Sequence, residues 1–163
     1  MRRLSILRVA TLAGLVLIAG CGPVKKSVFP PSVSLSEVSA KPGGTWHVTL
    51  RVRNNSYTGM SFDRFQGTFQ VGQLGGVLLD AKIDQDIPSF AADVTQVDLL
   101  PTPEMSKALA ELAAKGSTGA LAYSIEGRVT ATPEKETKPD TYPVHGKSWL
   151  SPVPGIPDTY RSP

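Results

Sequence analysis

Trp46-His47-Val48-Thr49-Leu50-Arg51-Val52-Arg53 alternates apolar and polar residues without a break. A period of two puts Trp46, Val48, Leu50 and Val52 on one face and His47, Thr49, Arg51 and Arg53 on the other. This is the pattern of a strand with one buried and one wet side. The same period recurs on both sides of it. Val33 and Leu35 predict a shorter strand upstream, set off by the turn Lys41-Pro42-Gly43-Gly44. Downstream, Phe65, Gly67, Phe69 and Val71 form one apolar face and Val77, Leu79, Ala81 and Ile83 the next. The glycine-rich link from Gly72 to Gly76 makes these two a hairpin. Phe90, Ala92 and Val94 share one parity while Val97 and Leu99 share the other, which predicts a bulge or bend between two short strands. Leu121, Tyr123, Ile125 and Val129 lead to Ala131. Val144 to Leu150 is a weaker final strand, with Pro143 at its entry where a missing N–H is tolerated.

One helix interrupts the series. Thr102 is suited to cap it, Pro103 to its first position and Glu104 to its first turn, where the helix dipole favours an anion. Met105, Ala108, Leu109 and Leu112 recur at helical spacing, and Lys115-Gly116 supplies the closing cation and glycine. The chain is therefore expected to be all-β, an antiparallel sandwich of about seven strands with a single short helix plugging one end.

The N-terminal stretch has a different character. Arg2, Arg3 and Arg8 precede an uncharged, mostly apolar run from Val9 to Gly20, too short to span a bilayer as a permanent helix. Leu17-Ile18-Ala19-Gly20-Cys21 resembles the bacterial lipobox, in which small residues precede a cysteine that receives a diacylglycerol. Cys21 is the chain's one cysteine, so lipidation would leave the folded part without a thiol. Two or more acyl chains hold a protein to a bilayer permanently, whereas one binds marginally. By the same resemblance Gly22, in place of an aspartate, points to the outer membrane facing the periplasm. The expected organisation is a lipoprotein signal peptide at 1–20, a lipidated cysteine and tether at 21–31, a β-domain at 32–150 and a proline-rich tail at 151–163. The tail is expected to lie extended over the domain or to fray.

Processing also changes the charge. The chain has 17 basic and 14 acidic residues, net +3, and a basic pI near 9.1. Losing Arg2, Arg3 and Arg8 makes the two classes equal in number, and the suggestion of a nucleic-acid partner goes with them. Nothing points to a small-molecule substrate, a cofactor or a metal. His47 and His145 are far apart, and His47 falls on a polar strand face. Asp80, Asp84 and Asp86 lack the glycine and terminal glutamate of a calcium loop and read as turn-capping residues. Asn54-Asn55-Ser56 matches a glycosylation triplet but reads better as a turn. No nucleophile elbow, phosphate loop or zinc-protease motif occurs, so no catalytic residue is expected and the protein reads as a non-enzyme.

Trp46, Phe65 and Phe69 belong to the expected core. Tyr57, Met60 and Phe62 cluster beside the Asn-rich turn, where end loops of such folds place binding, and are candidate contact residues. Trp149 is the best single candidate for an exposed aromatic anchor. The segment from Trp46 to Ser56, followed by Met60-Ser61-Phe62 and the hairpin around Gly67 and Gly72, resembles the type 2 late-embryogenesis-abundant proteins with their water-stress and hypersensitive-response domain. The likeness runs from about Val33 to Leu150, with Asn54-Asn55-Ser56 standing where that family has a turn containing proline. The resemblance implies an immunoglobulin/fibronectin-III-like sandwich and a non-enzymatic role in desiccation stress, protecting envelope proteins or membrane. The alternative is an adaptor, tethered to the outer membrane, that docks one envelope protein.

Overall fold

The computed structural model describes residues 27–163; the segment before Ser27, with the expected signal and Cys21, lies outside the described residues. The chain order is β1 (Ser32–Ala40), β2 (Trp46–Arg53), β3 (Met60–Val71), β4 (Val77–Ile87), β5 (Ala92–Leu99), helix α1 (Pro103–Ala114), β6 (Leu121–Pro133), β7 (Asp140–Pro152) and β8 (Thr159–Arg161). A short 3-10 turn, Gly116–Thr118, follows α1. All pairings are antiparallel and give one eight-stranded sheet in the order β4-β3-β6-β7-β8-β1-β2-β5. The two outermost strands, β4 and β5, approach each other and are laced by the Thr95 hydroxyl donating to the Lys82 carbonyl at 2.9 Å. The sheet is thus folded on itself nearly into a barrel.

The eighth strand comes from the segment expected as a tail. Thr159–Arg161 inserts between β1 and β7, pairing Val38 with Tyr160 on one side and Pro152 with Tyr160 on the other. Tyr160 is buried and its hydroxyl donates to the Leu109 carbonyl at 3.3 Å; burial also pushes that hydroxyl's pKa up, keeping it a donor. The domain therefore runs beyond residue 150 and uses the chain almost to its end.

Core parity explains the other departures from expectation. Phe62 and Phe65 are both buried although three residues apart, which strict alternation forbids. A bulge at Asp63, seen as a register shift against both neighbours, resets the parity. Met60 and Phe62 thereby join Phe65, Phe69 and Val71 on the inward face. On β4 the same irregularity is absorbed by Asp84 at φ +53, a conformation its short polar side chain tolerates. By contrast β5 has no bulge: it pairs with β2 in one continuous register from Trp46↔Leu99 to Arg53↔Ala92. Thr95 and Leu99 are its buried residues and Val94 is exposed, so Val94 had suggested a false inward face. Pro143 lies inside β7 rather than at its entry. It is tolerated because β7 there has a hydrogen-bonded neighbour, β6, on one side only.

Two glycines on the inward face meet across β3 and β6, Gly67 opposite Gly127. A Cβ on either would collide with the partner strand's backbone, and the Phe65 ring end occupies the space beside Gly67. Small residues here let the strands carry a large aromatic without a void.

Helix α1 is capped as its sequence dictates. The Thr102 hydroxyl accepts from the Met105 N–H at 3.2 Å, Pro103 sits in the first turn, and Gly116 follows at φ +64. Met105, Leu109 and Leu112 are buried and close one end of the sheet beside Trp46, Leu150 and Tyr160.

Candidate functional site

The opposite end collects the 27–31 segment, the β2–β3 loop, the β4–β5 turn at 88–91 and the β6–β7 loop. It is closed by polar groups. Asn54, the first residue after β2, is completely buried. Its amide group shares two hydrogens among the carbonyls of Thr58 at 2.8 Å, Ile87 at 3.0 Å and Pro88 at 3.1 Å. Its side-chain oxygen accepts from the Ser56 N–H at 2.9 Å, the Asx-turn geometry expected of this triplet, and its own N–H donates to the Ala91 carbonyl at 2.9 Å. One side chain therefore ties the β2–β3 loop to the β4–β5 turn. Such an amide must be both donor and acceptor, which a carboxylate or an apolar isostere cannot be.

Residues expected to form a free tether are bonded to the same loop. Ser56, also fully buried, accepts at its hydroxyl from the Phe29 N–H at 2.8 Å and lies 3.0 Å from the Phe29 carbonyl. The Asn55 amide donates to the Pro30 carbonyl at 2.9 Å, and the Tyr57 N–H to the Ser27 carbonyl at 3.2 Å. The tether is thus shortened from its Pro31 end to Ser27.

Tyr57, one of the candidate contacts, is exposed (58%). Met60 and Phe62, expected beside it, are core residues for the parity reason given above. Two aromatics that sequence reading placed elsewhere take their positions. Phe90, expected in a strand, sits in the β4–β5 turn at φ +58 with 57% of its surface exposed. Its ring meets that of Tyr57 edge-on, centroids 4.7 Å apart. Phe29, 45% exposed, lies on the other side of Tyr57 at 6.0 Å. The left-handed conformation is a real outlier for a bulky residue. Trp149, 53% exposed, pairs with Ala122 at the helix end of the sheet, roughly 35 Å from Met60 by the rise of a strand. The structure does not bring it together with Tyr57.

A groove lined by Tyr57, Gly59, Ser61, Asp86, Pro88 and Glu134 runs beside the aromatic row. It is open, unlike sites that enclose most of a small molecule. Its two carboxylates are already engaged, Asp86 by the Ser61 hydroxyl at 2.5 Å and Glu134 by the Thr58 hydroxyl at 3.1 Å. The other acidic residues weighed as a cation site are likewise partnered. Arg64 binds Asp80 through two nitrogens and Lys82 binds Asp84 at 2.9 Å. The hydrogen bond from Arg64 holds the Asp80 carboxyl below its usual pKa. His47 pairs with Asp98 across β2 and β5 at 2.6 Å. Among the described residues no cluster of His, Cys, Asp or Glu could hold a metal ion, and no helix is long and apolar enough to cross a membrane.

No family model and no curated protein matches the sequence. Among solved structures the chain is similar to a candidate ApaA protein from Bordetella pertussis, at 14% identity and a TM-score of 0.45, covering 80% of this chain and 100% of that one. It is also similar to a candidate late-embryogenesis-abundant protein solved in solution, at 11% identity and a TM-score of 0.41 over 93% and 87% of the two chains. A protein from Archaeoglobus fulgidus follows at 8% identity and a TM-score of 0.38, over 78% and 98%.

Proposed function

We propose that this is a non-catalytic lipoprotein of the late-embryogenesis-abundant type 2 kind. Its fibronectin-III-like domain is held by acylated Cys21 at the periplasmic face of an outer membrane, where it protects neighbouring proteins or the bilayer during water loss. The observation that carries this reading is the fixing of Ser27 to Pro30 onto the Asn54–Tyr57 loop. Gly22 to Lys26 are the residues left between Cys21 and Ser27, a reach of about 20 Å when fully extended. A domain on so short a lead acts at the membrane surface rather than deep in the surrounding space.

Metabolic labelling with palmitate tests the anchor. The wild-type chain should carry label in the envelope fraction and Cys21→Ala should remain an unlabelled precursor; an unlabelled wild-type chain refutes it. Drying an unrelated enzyme with the purified protein tests protection, which predicts more recovered activity than with an equal mass of albumin. The adaptor reading is favoured by one observation, the exposed Trp149 at the end away from Ser27. Crosslinking in native envelopes that captures one stoichiometric partner, lost in Trp149→Ala, would select the adaptor over general protection.

A further inference from the structure

We infer that Phe29, Tyr57 and Phe90 form a foot that inserts into the interfacial layer of the lipid bilayer carrying the anchor. The inference rests on the lipid-anchor reading and adds to it a second, non-covalent contact with a defined orientation. Three exposed rings in a row are unusual here: among the described residues the one other exposed aromatic, Trp149, stands far from them at the helix end. Here they stand together at one end of the sheet, with ring centroids 6.0 and 4.7 Å apart. Phe90 reaches that position through a left-handed backbone conformation, which a phenylalanine adopts only when its surroundings impose it. The imposing contacts are visible: Asn54 binds the Ile87 and Pro88 carbonyls just before the turn, and the Ala91 carbonyl just after it. The polar staple thus holds the ring outward, away from the core.

The occupant follows from where the chain goes. Ser27, whose carbonyl receives the Tyr57 N–H, is adjacent to the row, and the segment from Ser27 back to Cys21 is too short to let this end drift far from an acylated residue. A membrane is therefore the surface these rings meet first. Phenylalanine and tyrosine fit that layer, with apolar bodies for the acyl boundary and the phenol for the headgroups. The carboxylates of the neighbouring groove, Asp86 and Glu134, are bonded to Ser61 and Thr58 on the groove side of Tyr57.

The test uses the full chain, isolated from envelopes and reconstituted into phosphatidylethanolamine–phosphatidylglycerol vesicles, with or without lipid brominated near the headgroup. A Phe90→Trp reporter is placed in a Trp149→Phe background, and Tyr57→Trp serves as a second reporter away from the left-handed position. Mass spectrometry of the Cys21 peptide reads acylation independently. Brominated lipid should remove most of the emission that either reporter adds. The unsubstituted protein should lose little, because Trp46 is buried and Trp149 is at the far end. Acylated protein with unquenched reporters overturns the foot and leaves the anchor standing. The same holds if the rings crosslink to a second copy or to a protein partner while staying unquenched. A Cys21 peptide without acyl groups overturns the anchor, and the foot with it.

Discussion

At the helix end of the sheet, closure is a matter of volume: α1 contributes Met105, Leu109 and Leu112 to the same buried cluster as Trp46, Leu150 and Tyr160. At the other end no helix of the described residues covers the core, and a buried amide joins three carbonyls and an N–H from two loops. The first closure is non-directional and tolerates side chains of similar size. The second depends on one functional group, because removing it leaves several buried backbone groups unpaired. Direction is what the polar end gains in return. It sets where the chain enters from Ser27 and which way Phe90 faces, while the helix end sets only that water is excluded.

Exchanging Asn54 for a group of the same shape should break the polar closure most severely. Asn54→Asp replaces the donor with an acceptor against three carbonyls, at a cost of about 3–5 kcal/mol for an uncompensated buried charge. Burial would raise the folded-state pKa of that carboxyl above its unfolded value, so the native state would bind the proton more readily. The variant's stability deficit should then shrink below about pH 4 and grow as pH rises through the ordinary carboxylate range. Urea denaturation at several pH values measures both; a variant of wild-type stability would mean the amide is dispensable. At the helix end, Leu109→Ala should cost about 2–4 kcal/mol, with no such pH dependence, since the loss is transfer and cavity energy. A pH-dependent loss there would erase the contrast between the ends.

The smallest change is expected at Phe90. Phe90→Gly relieves a left-handed conformation worth about 1–2 kcal/mol and forfeits a ring contact worth about 0.5–1.5 kcal/mol. Thermal unfolding should shift by less than about 1 kcal/mol equivalent. A large loss would mean that the ring supports the fold rather than standing out from it.

Much of the sheet could be read in the chain because its evidence is local. The unbroken alternation from Trp46 to Arg53 and the Thr102-Pro103-Glu104 start of α1 each declare themselves within a few residues. What stayed hidden depends on distant parts of the chain. The Asp63 bulge shows only as a conflict between Phe62 and Phe65, resolved by neighbours in β4 and β6. The Asn54 triplet was legible as a turn, but its reach to Ile87 and Pro88 is not written near it. Likewise Phe29, Tyr57 and Phe90 are assembled from a segment read as tether, a loop and a segment read as strand. For Phe90 the available signal was weak: a Pro88-Ser89 pair just before it, favouring a turn over a strand.

The short strand β8 has a consequence for the order of events in folding. It is the piece that joins β7 to β1, and the ion pair beside it links Glu37 to Arg161 across 124 residues of chain. The β1–β2 and β3–β4 hairpins need only nearby sequence, and the β4–β5 seam closes on residues 77–99, but the β7–β1 seam has no bridging strand until Thr159 to Arg161 are present. Such long-range joins slow folding. A chain emerging from the ribosome would keep this seam open until Thr159 to Arg161 had been made, an interval in which it stays pliable.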